Sequence, residues 1–198
     1  MKNKFLLLLI SLCATTVALH AQGWTEVYAT FSAMRPAQPF SKLAGTLVAP
    51  LHPLVEAGAT YQWNKSNKNL LLQKVNIGFG YHRFLQSVIP AYTTIGYTRK
   101  FKYDLDAGAF LGAGYLHSIP LNTRYVLQNG SYVKTDPIGK AQVIVRLGAY
   151  IQYKQFTLAY ENFLQTPFIR SYVPLMPYNL LTVGYSMPVN ALCSTPKK

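Results

Sequence analysis

Two segments hold the residue types that acyl chemistry needs. In Gly80-Tyr81-His82-Arg83-Phe84, His82 precedes Ser87 by a few residues; in Gly114-Tyr115-Leu116-His117-Ser118-Ile119-Pro120, His117 adjoins Ser118. A histidine base beside a serine hydroxyl is the minimum for acyl transfer. No acid is adjacent to either pair, although Asp136 lies further along. Neighbouring side chains on a strand point to opposite faces, which works against His117 with Ser118. His82, His117 and Ser118 stand as weak catalytic candidates, and a hydrogen-bonding role for both histidines is the simpler reading. The sequence contains no GxSxG, HExxH, GxxxxGK or CxxC, and Gly78-Phe79-Gly80 lacks the third glycine of a dinucleotide fingerprint. No metal or cofactor is expected, and an enzyme is the less favoured class.

A second set of residues is defined by its placement. Glu56, Lys74, Lys100, Asp106, Arg146 and Glu161 all fall on the polar side of segments that alternate with period two. Such alternation fits strands over Leu54–Trp63, Lys74–His82, Tyr92–Phe101, Asp104–Tyr115, Gln142–Tyr153, Phe156–Phe163 and Asn179–Met187, with a weaker eighth over Leu43–Ala49. Helical periodicity is weak outside Thr25–Met34. Lys102-Tyr103 and Lys154-Gln155 read as tight hairpin turns and Asn64–Asn69 as a polar turn. The other connections are longer or marked by proline: Pro50–Pro53, Phe84–Ile89, His117–Gly139 and Pro167–Pro177. Asn129-Gly130 predicts a hairpin inside the longest of them.

The two faces differ in a diagnostic way. One is Val, Ile, Leu, Ala and Phe; the other is Gly, Thr and Ser with one or two charges per strand. A crowded eight-stranded lumen needs the second kind of face, with small residues making room for a few large polar ones. Trp63, Phe101, Tyr153, Phe156 and Tyr185 adjoin the short turns, and Tyr81, Tyr115 and Tyr178 adjoin the long loops, as two interfacial girdles would. The sequence therefore predicts an all-β, eight-stranded, antiparallel up-and-down transmembrane barrel. The six charged residues form its lumen network, with Arg146 facing Glu161 across the Lys154-Gln155 turn. A soluble lipocalin-like barrel with the faces reversed, holding an apolar ligand, is the alternative fold reading.

Composition agrees with this reading. The chain has 198 residues, of which 50% are hydrophobic, 14% aromatic and 13% charged, with a net charge of +13. Soluble domains carry about 25% charged residues. Lys2 and Lys4 followed by the apolar run Phe5–Leu19 read as an export signal cleaved after Ala21. The mature chain then keeps one cysteine, Cys193, which cannot form an internal disulfide. The expected organisation is a signal peptide over 1–21, a periplasmic segment over 22–42, a barrel over 43–188 and a tail over 189–198. Short turns would face the periplasm and long loops the outside. Basic residues toward the outer rim suit the phosphates of lipopolysaccharide. Nothing points to nucleic acid, and no protein partner is named.

The segments Tyr81–Phe84 followed by Pro90, and Gly114–Pro120, together with the strand pattern over roughly 43–188, resemble small outer-membrane β-barrel proteins of the Bacteroidota. That resemblance implies the fold and an outer-membrane, Gram-negative location, and supplies no catalytic residue. The expected role is structural or surface-binding. A lipid A-modifying acyl hydrolase or transferase at the outer rim is the enzymatic alternative.

Overall fold

The computed structural model describes residues 23–36, 52–64, 66–83, 85–121, 124–128, 130–135, 139–166 and 175–189, with 124–128, 134 and 135 described by backbone. Ten strands are formed among the described residues: β1 (Trp24–Pro36), β2 (His52–Gln62), β3 (Asn69–His82), β4 (Gln86–Lys100), β5 (Leu105–Pro120), β6 (Arg124–Gln128), β7 (Ser131–Thr135), β8 (Lys140–Tyr153), β9 (Phe156–Thr166) and β10 (Met176–Pro188). Eight of them close into a barrel in the order β1-β10-β9-β8-β5-β4-β3-β2, every pairing antiparallel. β6 and β7 form a separate hairpin between β5 and β8, around Gly130 in the left-handed region at φ 81°. This is the hairpin that Asn129-Gly130 predicts.

The sequence reading sets 22–42 apart as a periplasmic segment. The structure corrects it: β1 lies in that stretch and closes the barrel, pairing with β10 from Glu26↔Pro188 to Pro36↔Tyr178 and with β2. Its alternation is masked because Tyr28 and Met34 point inward while Ala29 and Ala33 point outward, which flattens the polar contrast. One register shift between Trp24 and Glu26 inserts an extra residue opposite β2, as a β-bulge does. The weak strand expected over 43–49, the signal peptide over 1–21, and the tail from residue 190 lie outside the described residues.

The β3–β4 connection is also shorter than expected. β4 begins at Gln86 and runs through Pro90, so only residues 83–85 separate the two strands. Pro90 has no N–H to give. The β3–β4 ladder accordingly skips from Ile77↔Ala91 to Gly80↔Val88, while Pro90 still faces Leu116 on β5.

At one end of the barrel the connections are tight. Tyr153↔Phe156 closes a two-residue turn whose first residue, Lys154, is left-handed at φ 54°. Between β4 and β5 the Phe101 N–H donates to the Leu105 carbonyl, with Tyr103 and Asp104 left-handed. At the other, the loop end, lie the β1–β2, β5–β8 and β9–β10 connections.

Face polarity is the decisive property. Outward residues include Val55, Val75, Ile77, Phe79, Ile95, Leu111, Val143, Ile151, Leu158 and Val183, all exposed. Inward, Glu56, Thr60, Asn76, Thr94, Thr98, Arg146, Glu161 and Thr182 are buried. The lipocalin-like alternative requires the reverse and is overturned. Glycines make the polar interior possible. In register, Tyr28 faces Gly58, Glu56 faces Gly78, Tyr92 faces Gly114, Tyr150 faces Gly108, Arg146 faces Gly112 and Glu161 faces Gly148. A Cβ at Gly78 would come 2.6 Å from the Glu56 Cγ, and one at Gly148 would come 2.9 Å from the Glu161 Cγ.

Candidate functional site

Inward side chains stack in layers from the loop end to the turn end. The first layer is neutral and polar. Gln86 donates to Gln165 Oε1 at 2.7 Å, and Gln165 donates to Gln142 Oε1 at 2.6 Å. Beside them the rings of His52 and His82 stack at a 3.6 Å centroid distance and an 18° interplanar angle.

The second layer is apolar. Met34, Leu54, Val88, Leu116, Ile144, Phe163 and Leu180 pack together inside the barrel, each at most 2% exposed. Tyr178 joins them, stacked on Phe163 at 5.4 Å. This corrects its expected place in the outer girdle: its side chain is in the lumen. Among the described residues this layer fills the lumen at its level with packed side chains.

The third layer is ionic. Arg146 Nη1 donates to Glu56 Oε1 at 2.6 Å and to the Tyr92 hydroxyl, and Nη2 donates to Glu161 Oε2. The guanidinium also lies 4.5 Å from the Tyr92 ring centroid. Its partners come from β2, β4 and β9, so one side chain ties four strands together across the lumen. Arg146 meets Glu161 as the spacing about Lys154-Gln155 suggests. Glu56, on β2 four strands round the barrel from β8, is a contact across the lumen that local spacing does not reveal. Ser32 and Thr182 bridge β1 and β10 at 2.8 Å in the same layer.

Toward the turn end the lumen opens. Lys74 Nζ lies 4.5 Å from the Tyr150 ring centroid and 5.1 Å from that of Tyr28. Tyr28 donates to Asn76 Oδ1, and the Tyr150 hydroxyl bonds Thr98. A cavity of about 60 Å³ adjoins the ionic layer, and a second of about 150 Å³ lies beyond it, bounded by Lys100 and Asp106, which oppose each other in register. Glu26, Lys74, Tyr150 and Gln152 line both. Of the six charged residues singled out by sequence, three meet as ion pairs, Lys74 stands over two rings, and Lys100 and Asp106 mark the mouth.

The histidine–serine pairs do not assemble. His82 is buried in the lumen and neither ring nitrogen has a hydrogen-bond partner, while Ser87 faces outward opposite Tyr81. His117 is on the outer face, its Nδ1 2.9 Å from the Tyr115 hydroxyl, and Ser118 is buried within. Asp136 lies outside the described residues. No group of three metal-ligating side chains comes together among the described residues.

No protein-family model matches the chain, and no curated protein matches it. Among solved structures the chain is similar to the outer membrane enzyme PagL, at TM-score 0.48 and 10% identity over 82% of this chain and 99% of that one. It is similar to Neisserial surface protein A at TM-score 0.49 and 9% identity, covering 83% and 95%. It is also similar to Ail of Yersinia pestis at TM-score 0.41 and 12% identity, covering 83% and 99%.

Proposed function

We propose that the protein is an outer-membrane barrel, non-conducting, with a structural or surface-binding role, its turn end in the periplasm and its loop end outside. One observation carries this reading: a continuous apolar outer face surrounds a lumen that is polar but packed shut by an apolar layer. In water that outer face would be an aggregation surface; in hydrocarbon it is the expected one, because a closed barrel satisfies its backbone groups internally. Trp63, Phe101, Tyr153, Phe156 and Tyr185 ring the turn end, and Tyr81 and Tyr115 stand toward the loop end, all exposed. Aromatic residues prefer those interfacial levels. Export by the N-terminal signal fits the same location.

Arg35 and Lys140 stand at the loop ends of their strands, Arg83 follows the loop end of β3, and Arg124 and Lys134 lie on β6 and β7. This distribution supports contact with anionic groups of the outer leaflet, the phosphates of lipopolysaccharide being the chemistry it suits. Acyl chemistry gains no support from the geometry, since the barrel wall separates each histidine from its serine.

Cell fractionation followed by gel mobility of unheated and boiled protein in SDS tests the reading. Recovery in the outer membrane, with a different position before boiling, is expected. Recovery in the soluble periplasm without a heat shift would overturn it. Vesicles with and without lipopolysaccharide then test the binding role, with greater capture of its phosphorylated form expected.

A further inference from the structure

We propose that the turn-end vestibule is a blind binding site for a small zwitterion, an amino acid or a peptide terminus, with Lys74 receiving the carboxylate and Glu26 the ammonium. The two cavities share Glu26, Lys74, Tyr150 and Gln152 as lining and so lie side by side in one recess region. Its floor is the ionic layer, and above that layer the lumen is packed with apolar side chains. Among the described residues the recess is bounded by the ionic layer on one side and extends toward the turn end on the other.

Lys74 is built to present charge to this recess. Its stem runs inward from β3, and its ammonium lies over the faces of Tyr150 and Tyr28, contacts that favour a desolvated cation. An ammonium has three donors and no acceptor. Among the described residues no carboxylate forms an ion pair with it: Glu56 and Glu161 are both held by Arg146, and Glu26, the strongest charged influence on Lys74, stays beyond ion-pair contact. Glu26, on β1 beyond the bulge, has no ion-pair partner among the described residues either, and it lines the same two cavities.

The placement of charge selects the ligand class. Lys74 and Glu26 line the same two cavities and neither is in an ion pair among the described residues, so a bare anion is matched by Lys74 alone and a bare cation by Glu26 alone. A molecule with both charges close together is matched at each end. Tyr28, Phe110 and Tyr150 supply apolar wall between the charged groups.

The site needs only the folded barrel, so its failure leaves the membrane reading intact, whereas loss of heat-modifiable mobility would strike that reading instead. The test is a backbone and side-chain NMR titration of the full mature barrel in nanodiscs, using glycine, glycylglycine, acetate and methylammonium as probes. Glycine or glycylglycine should shift signals of Lys74, Tyr150 and Gln152 with saturation, and bind more tightly than acetate or methylammonium. Lys74→Met, which keeps the stem over the rings, should weaken zwitterion binding by about tenfold or more while the unheated protein keeps its distinct gel mobility. Glu26→Gln provides a second variant and should weaken glycine more than acetate. Unsaturable or absent shifts, equal binding of acetate and glycine, or an unchanged response in Lys74→Met would each overturn the assignment.

Discussion

Removing the Arg146 guanidinium should be among the most destabilising single changes in the lumen. Arg146 is 2% exposed, and its two carboxylate partners, Glu56 and Glu161, are 3% and 5% exposed. Arg146→Met keeps much of the side-chain volume but leaves two like charges in a layer capped by apolar packing on one side. Breaking one buried pair by deleting a partner costs about 3–5 kcal/mol. With two carboxylates orphaned together, the upper part of that range applies. Replacing the whole triad should cost far less, because desolvation of the charges largely offsets their attraction. Arg146→Met combined with Glu56→Gln and Glu161→Gln should therefore recover most of the loss and lie within about 2 kcal/mol of wild type. The assay is urea unfolding in lipid vesicles, followed by the fluorescence of Trp24 and Trp63 and by gel mobility of the folded fraction. A single variant within about 1 kcal/mol of wild type, the scale of a surface pair, would refute the reasoning. So would a triple variant as unstable as the single one.

Four further outcomes are expected, the first three in the same assay. Ile77→Arg, on the outer face in mid-strand and 61% exposed, should cost about 2–4 kcal/mol in a bilayer; exposure to water would make it neutral. Leu116→Ala, at 0% exposure in the apolar layer, should cost about 2–5 kcal/mol without producing conductance in planar bilayers, because the ionic layer remains beneath it. Gly114→Ala places a Cβ against the backbone of Ala91 and Tyr92, and should cost about 1–3 kcal/mol or alter the β4–β5 register. Gly130→Ala meets no atom within 4 Å but sits at φ +81°, so it should loosen only the β6–β7 hairpin, which local chemical shifts would report.

Much of the barrel is legible because each strand carries its own face assignment. Val75, Ile77 and Phe79 against Lys74, Asn76 and Gly78 need no partner strand to be read. β1 escapes because inward Tyr28 and Met34 resemble the apolar set while outward Ala29 and Ala33 carry little contrast. The apolar layer escapes for a related reason: Leu54, Ile144 and Leu180 are apolar residues on the side of their strands expected to be polar, and around Val88 and Leu116 the alternation fades and reads as connection. The Arg146–Glu161 contact spans one short turn and is visible from spacing. The Arg146–Glu56 contact spans the lumen between strands distant in sequence, and becomes visible only once the barrel closes. The His117–Ser118 pairing fails on elementary strand geometry, and His82 with Ser87 fails likewise once β4 is seen to begin at Gln86.

The most direct test of a polar-lined barrel lying in hydrocarbon is depth-dependent quenching of a single tryptophan at position 77. Ile77→Trp, with Trp24 and Trp63 replaced by phenylalanine, would be reconstituted in bilayers brominated at different acyl positions. Strong quenching by mid-chain bromine with little quenching by aqueous iodide is the result a membrane-embedded outer face predicts. Efficient iodide quenching with no response to brominated chains would place that face in water and contradict it.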